Sequence, residues 1–247
     1  MGMTDTETGG PGMPFPSTVW SRITQADPEG RRAGAVDLEK LIGRYWKPVY
    51  TFIHRSWAKK PEDAKDLTQQ FFLEDVLEHG LLDRYEPDRG SFRAFLKGAL
   101  GNFMGHAAER TSAQKRGGHL KVLSLEGLAE ETADLLPDAK ALSPDRLFDE
   151  TWKRVVLETA TQRVQERCRQ DGKEIVYEVF KRYDLEPETP EVSYKTLGES
   201  LQLSPDTVKN HLTRARDLYL AAVSDVVRET VRNPEELSRE LRELFGM

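Results

Sequence analysis

A single cysteine, Cys168, stands among the 247 residues, which excludes an internal disulfide or a multi-cysteine metal site and agrees with a reducing, cytoplasmic setting. No apolar run approaches the roughly 20 residues needed to span a bilayer, and the N-terminus lacks a basic stretch followed by an apolar one. The expectation is a soluble protein with no membrane partner. No segment alternates apolar and polar residues with period two, so no sheet is expected and the predicted class is all-α. His54, His79, His106, His119 and His211 form no metal-spaced pair, and no Ser/His/Asp arrangement is suggested. Gly98, Gly101 and Gly105 fit neither a G-x-G-x-x-G nor a Walker pattern, and no strand precedes them; close helix packing is the expected reason for them. Nothing here calls for a cofactor or for catalysis. An excess of basic residues is lacking too: 36 Lys and Arg face 42 Asp and Glu, for a net charge of −6. Overall charge therefore gives no argument for nucleic acid, and only local asymmetry can.

That asymmetry is present. From Glu62 to Asp88 there are nine acids against two bases, and from Arg89 to Lys121 seven bases against Glu109 alone. Adjacent segments of opposite sign suggest two partners, one a basic protein surface and one a polyanion. Before them, residues 1–17 are rich in Gly, Pro, Thr and acid and read as a disordered tail, with order starting near Thr18. A helix is predicted from about Val36, with Leu41, Tyr45, Trp46, Val49, Tyr50, Ile53 and Trp57 on its core side and a bend or break at Pro48. Pro61-Glu62-Asp63 opens the acidic helix, because the fixed φ and the negative charges both suit a first turn. Ala64, Leu67, Phe71, Phe72, Val76 and Leu77 are its predicted buried side, and Asp63, Asp66, Gln69, Gln70 and Glu74 the outer side. An ordinary solvated face is as consistent with this spacing as a docking surface.

Ser91 is a predicted N-cap for the next helix, in which Phe92, Phe95, Leu96, Leu100, Phe103 and Met104 alternate with Arg93, Lys97, Asn102, His106 and Arg110 and lead to Lys115 and Arg116. Single-stranded nucleic acid asks for this mixture, since bases stack on aromatic rings while cations follow phosphates. Core packing is the alternative, and several of the phenylalanines must serve it. Residues 119–144 are acidic, aperiodic and carry two prolines, as a linker would. Helical periodicity returns from Leu147. Ser193 is expected to cap a short helix bearing Tyr194, Leu197 and Leu201; a tight turn follows, and Ser204-Pro205 supplies an N-cap and first residue for a second helix. There Val208, Leu212, Ala215 and Tyr219 face inward, while Ser204, Asp206, Thr207, Lys209, Asn210, Thr213, Arg214 and Arg216 are left to the outside. Two short helices with a polar, basic second member fit a helix-turn-helix, and periodicity fits a plain helical hairpin equally well.

Taken together the segments resemble a known family. Asp63-Ala64-Lys65-Asp66-Leu67-Thr68-Gln69-Gln70-Phe71-Phe72 resembles the polymerase-binding helix of bacterial sigma factors of the extracytoplasmic-function group, which are sigma-70-like. Arg89 to Leu96, continuing to Gln114-Lys115-Arg116-Gly117-Gly118, looks like their promoter-melting helix and loop, and Tyr194 to Arg216 is similar to the helix-turn-helix of sigma region 4. The stretch from Arg228 to Phe245 resembles the C-terminal extension of one subgroup, found in bacteria rich in Ser/Thr kinases. The resemblance implies region 2 over 18–118, a linker over 119–144, region 4 over 145–224 and an extension over 225–247. It further implies a transcription initiation factor that binds RNA polymerase core through Asp63, Asp66, Gln69 and Gln70 against the β′ clamp helices, with region 4 on the β flap.

By the same resemblance, Phe92, Arg93, Phe95, Lys97, Asn102, His106, Arg110, Lys115 and Arg116 would melt and hold the −10 element of promoter DNA. Ser204, Asp206, Thr207, Lys209, Asn210, Thr213, Arg214 and Arg216 would read the −35 element. An anti-sigma factor or a Ser/Thr kinase is a further possible partner. Where the family usually has acids this chain has Lys65 and Gln70, so phosphorylation of Thr68 would restore negative charge there; an ordinary helix threonine is the plainer alternative. Gly198 replaces the usual alanine of the helix-turn-helix and Gln202 its usual turn glycine. The competing reading is a stand-alone helix-turn-helix regulator that binds duplex DNA without polymerase.

Overall fold

A computed structural model describes residues 31–57, 60–113, 142–187 and 192–247. Among these residues every regular element is a helix, in agreement with the all-α expectation. In order they are α1 (Arg31–Trp57), α2 (Pro61–Gln70), two short 3₁₀ turns (Leu81–Arg84 and Pro87–Arg89), α3 (Phe92–Ala113), α4 (Pro144–Gln170), α5 (Glu174–Phe180), α6 (Tyr194–Leu201), α7 (Pro205–Arg228) and α8 (Pro234–Phe245). No helix is long and apolar enough to cross a membrane among the described residues. The tail over 1–17 and most of the linker over 119–144 lie outside the described residues.

The chain divides into two compact units, one reaching to Trp152 and including Arg228–Met247, the other Lys153–Val227. The division thus falls inside α4, and Arg228–Met247 groups with the first unit. The reason is visible in α4's opening turns, where Leu147, Phe148 and Trp152 are buried. Tyr45 of α1 stacks on Trp152 with centroids 4.4 Å apart and meets Phe92 edge-on at 5.2 Å. Trp46 stacks on Phe72 and Phe71 meets Phe103 edge-on, so α1, the segment following α2 and α3 share one aromatic core. Such pairs add roughly 0.5 to 1.5 kcal/mol beyond area burial. This packing explains why α1 runs through Pro48 without interruption, although proline removes one ladder hydrogen bond at about 3 kcal/mol: Tyr45, Trp46, Val49 and Ile53 on either side are held inside.

After Gln70 the helix widens to π geometry over Phe71–Glu78, closing with the His79 N–H on the Glu74 carbonyl at 2.8 Å. Within this segment Phe71 and Val76 are buried, whereas Leu77, expected inside, is 39 % exposed. A second π turn, Lys181–Leu185, extends α5. In the second unit Val179, Leu197, Val208 and Leu212 form a core, with Tyr183, Tyr194, Leu201 and Leu203 packed around it.

Candidate functional site

Three surfaces were anticipated. The first is the outer side of α2. Glu62, Asp63 and Asp66 are exposed there, and Gln69 and Gln70 are half-buried. Gln70 donates to Glu74 at 2.7 Å, which ties it to its own helix. Thr68 corrects an expectation: it has no exposed surface, and its hydroxyl donates to the Ala64 carbonyl at 2.7 Å. A kinase cannot reach this hydroxyl while α2 is packed.

The second surface belongs to α3. Ser91 caps it as expected, accepting from the Ala94 N–H at 3.2 Å. Of the residues expected on nucleic acid, Asn102 and His106 are exposed, and Phe95 and Lys97 are half-buried. Phe92 and Arg93 are not surface groups. Phe92 is core at 2 % exposure, and Arg93 is enclosed at 6 % by Asp149, Glu240 and Glu243. Burial disfavours the charged guanidinium, but Glu240 and Asp149 outweigh that cost and leave its pKa raised. Arg110 lies in α3 with its side chain outside the description, and Lys115 and Arg116 fall outside the described residues. The three glycines supply a second correction. They recur on the exposed side of α3, and an added Cβ at Gly98, Gly101 or Gly105 meets nothing within 4 Å among the described residues. Among the described residues they do not serve helix packing. Together with Asn102 and His106 they leave a low face along which another backbone could approach closely.

The third surface is the α6–α7 pair, and here the local sequence dictates the geometry closely. Ser193 and Thr196 form a reciprocal capping box at the start of α6. Ser204 Oγ accepts from the Thr207 N–H at 3.1 Å and so caps α7. Between them Gln202 takes the left-handed conformation at φ 57°, the one non-glycine residue with positive φ among those described. Leu203 N–H returns to the Gly198 carbonyl at 2.8 Å. A Cβ on Gly198 would lie 2.6 Å from the Leu203 carbonyl oxygen, so the turn itself requires glycine at 198.

Beyond the turn, α7 buries Val208, Leu212 and Ala215 and presents Asp206, Lys209, Asn210, Thr213 and Arg214. Thr213 also donates to the Lys209 carbonyl, as a helix threonine commonly does. Arg216 is exposed as expected and is also paired within the unit. Its guanidinium grips both oxygens of Asp184 at 2.8 and 2.7 Å and lies 5.8 Å from the Tyr183 ring centre. The Asp184 hydrogen bonds raise its pKa despite partial burial. It ties α7 to the π turn after α5 through Asp184 while its side chain stays exposed. Sequence reasoning missed Asp184, Glu236 and Glu240, whose partners lie 32 to 151 residues away.

No protein-family model, curated protein or solved structure matches this chain. Among the described residues no group of three or more His, Cys, Asp and Glu side chains could hold a metal ion.

Proposed function

We propose that this chain is a transcription initiation factor of the sigma type, which binds RNA polymerase core and directs it to promoters. The observation that carries the reading is the α6–α7 unit: two capped helices, a left-handed turn residue between them, and a second helix whose outer face offers Asp206, Lys209, Asn210, Thr213 and Arg214. A helix of this kind lies in a major groove, where Arg donates to guanine and Asn pairs with adenine. Two further features support the same reading. The exposed carboxylates Asp63 and Asp66 on α2 offer charge to a basic protein surface such as the β′ clamp helices. The glycine-lined face of α3, with Asn102 and His106, suits a single strand exposed by melting of the −10 element.

In this mechanism nothing is catalysed by the chain. α7 positions the upstream duplex through phosphate contacts and reads base edges of the −35 element. Opening downstream costs a few kcal/mol per extruded base, repaid by stacking and pocket contacts. Core binding brings the two activities into register on one promoter. Co-purification with polymerase core tests the reading, with Asp66→Arg as the control: the wild type is retained and the variant is lost with its fold intact. Retention of DNA binding without any core binding would favour a stand-alone regulator instead.

A further inference from the structure

Helix α8 closes over the start of α3 with an unusual inner face. It buries two carboxylates, Glu236 at 0 % and Glu240 at 4 % exposure, alongside Leu244. Glu240 accepts from Arg93 Nε at 3.2 Å, Glu243 accepts from Nη2 at 3.0 Å, and Asp149 of α4 accepts from Nη1. Asp149 also accepts from Lys97 Nζ at 2.9 and 3.0 Å. Next to them Glu236 accepts from the Tyr85 hydroxyl, and Arg232 lies 4.9 Å over the Tyr85 ring. Two cations and an aromatic ring at the head of α3 are therefore filled by carboxylates of the same chain. Asn233 caps the helix that delivers three of them, accepting from the Glu236 N–H at 2.8 Å.

A guanidinium fork engaged by oxygens from several acids is also how arginine grips phosphate. A helix serving only as a brace has a simpler solution, because apolar residues in place of a buried ion pair are often neutral or stabilising. Charge pairing gives instead a contact that another anion can displace. We propose that α8 is an intramolecular competitor for nucleic acid: its Glu240 and Glu243 occupy the phosphate positions on Arg93, so that a DNA strand engages this end of α3 only when α8 has left it. The inference rests on the sigma-type reading above and adds a regulatory element to it.

Competition is reciprocal, so DNA must loosen α8 by the same factor that α8 weakens DNA. The test is hydrogen exchange of the full chain with and without saturating oligo(dT), together with oligo(dT) affinity of Glu243→Gln and of Glu235→Gln. Both variants change charge equally on α8, but Glu235 is exposed and outside the Arg93 cage. Expected are exchange over 234–245 faster by about fivefold or more in the bound protein, and affinity raised by a similar factor in Glu243→Gln alone. Unchanged protection of α8 in the DNA-bound protein, or equal affinities of the two variants, overturns the competition. A chain that binds polymerase core but no oligo(dT) in any form overturns the competition alone, whereas one that binds neither overturns the functional reading beneath it.

Discussion

Replacing Gly198 by alanine sets two physical rules against each other. Alanine is the better helix former by about 1 kcal/mol, and Gly198 lies inside α6, so propensity alone predicts stabilisation. The structure predicts the reverse. The new Cβ would stand 2.6 Å from the Leu203 carbonyl oxygen and 3.6 Å from Val208 Cγ2, and the oxygen belongs to backbone that cannot rotate away. Relief requires moving the turn that seats α7 on α6, an overpacking cost of about 1 to 3 kcal/mol, with the Leu203-to-Gly198 hydrogen bond weakened as well. The net expectation is destabilisation of the second unit by roughly 1 to 2 kcal/mol, or about five- to thirtyfold in its opening equilibrium. Cys168 offers a local reporter, since it is the one thiol of the chain, lies in this unit, is 2 % exposed, and has its pKa raised first by burial. Its alkylation by iodoacetamide in native buffer reads opening. Faster labelling of Gly198→Ala by that factor is expected; labelling slower than wild type would refute the steric argument.

The partner substitution should act oppositely. Gln202→Gly removes left-handed strain of about 1 to 2 kcal/mol and gives back roughly 0.4 to 1 kcal/mol through a freer unfolded chain, so a small gain in the same assay is expected. Arg214→Ala should cost about 1 to 3 kcal/mol of selective promoter affinity in binding titrations against matched and scrambled duplexes. Arg216→Ala should instead speed Cys168 labelling and lower affinity for both duplexes alike, because it releases α7 from Asp184. Gly101→Ala should raise stability by up to about 1 kcal/mol, since its Cβ meets nothing within 4 Å among the described residues, while weakening single-strand binding if that face carries the strand. Thr68→Glu should lower the melting temperature of the first unit, because a carboxylate would replace a fully buried hydroxyl; an unchanged melting temperature with altered core binding would restore the phosphosite idea.

Helix starts were legible from residues because caps are local. Ser91, Ser193 and Ser204 each cap through a side chain three residues from its donor, and Pro61 opens α2 by its fixed φ. The inward faces of α6 and α7 followed from their period. What escaped was set by tertiary contact. The π widening after Gln70 has no composition signal, and Leu77 within it is exposed. The burial of Arg93 depends on Glu240, 147 residues away, and no local rule distinguishes a cation that meets phosphate from one that meets a carboxylate. The glycines of α3 were assigned to packing because glycine in a helix usually needs a reason; no such contact is found among the described residues.

The most direct test of the central claim is run-off transcription with purified polymerase core, with and without this protein, on a library of promoter fragments. Core-dependent initiation that requires the protein and is lost in Asp66→Arg is the predicted result. No retention on core and no protein-dependent transcript, with DNA binding by the isolated chain preserved, would contradict it.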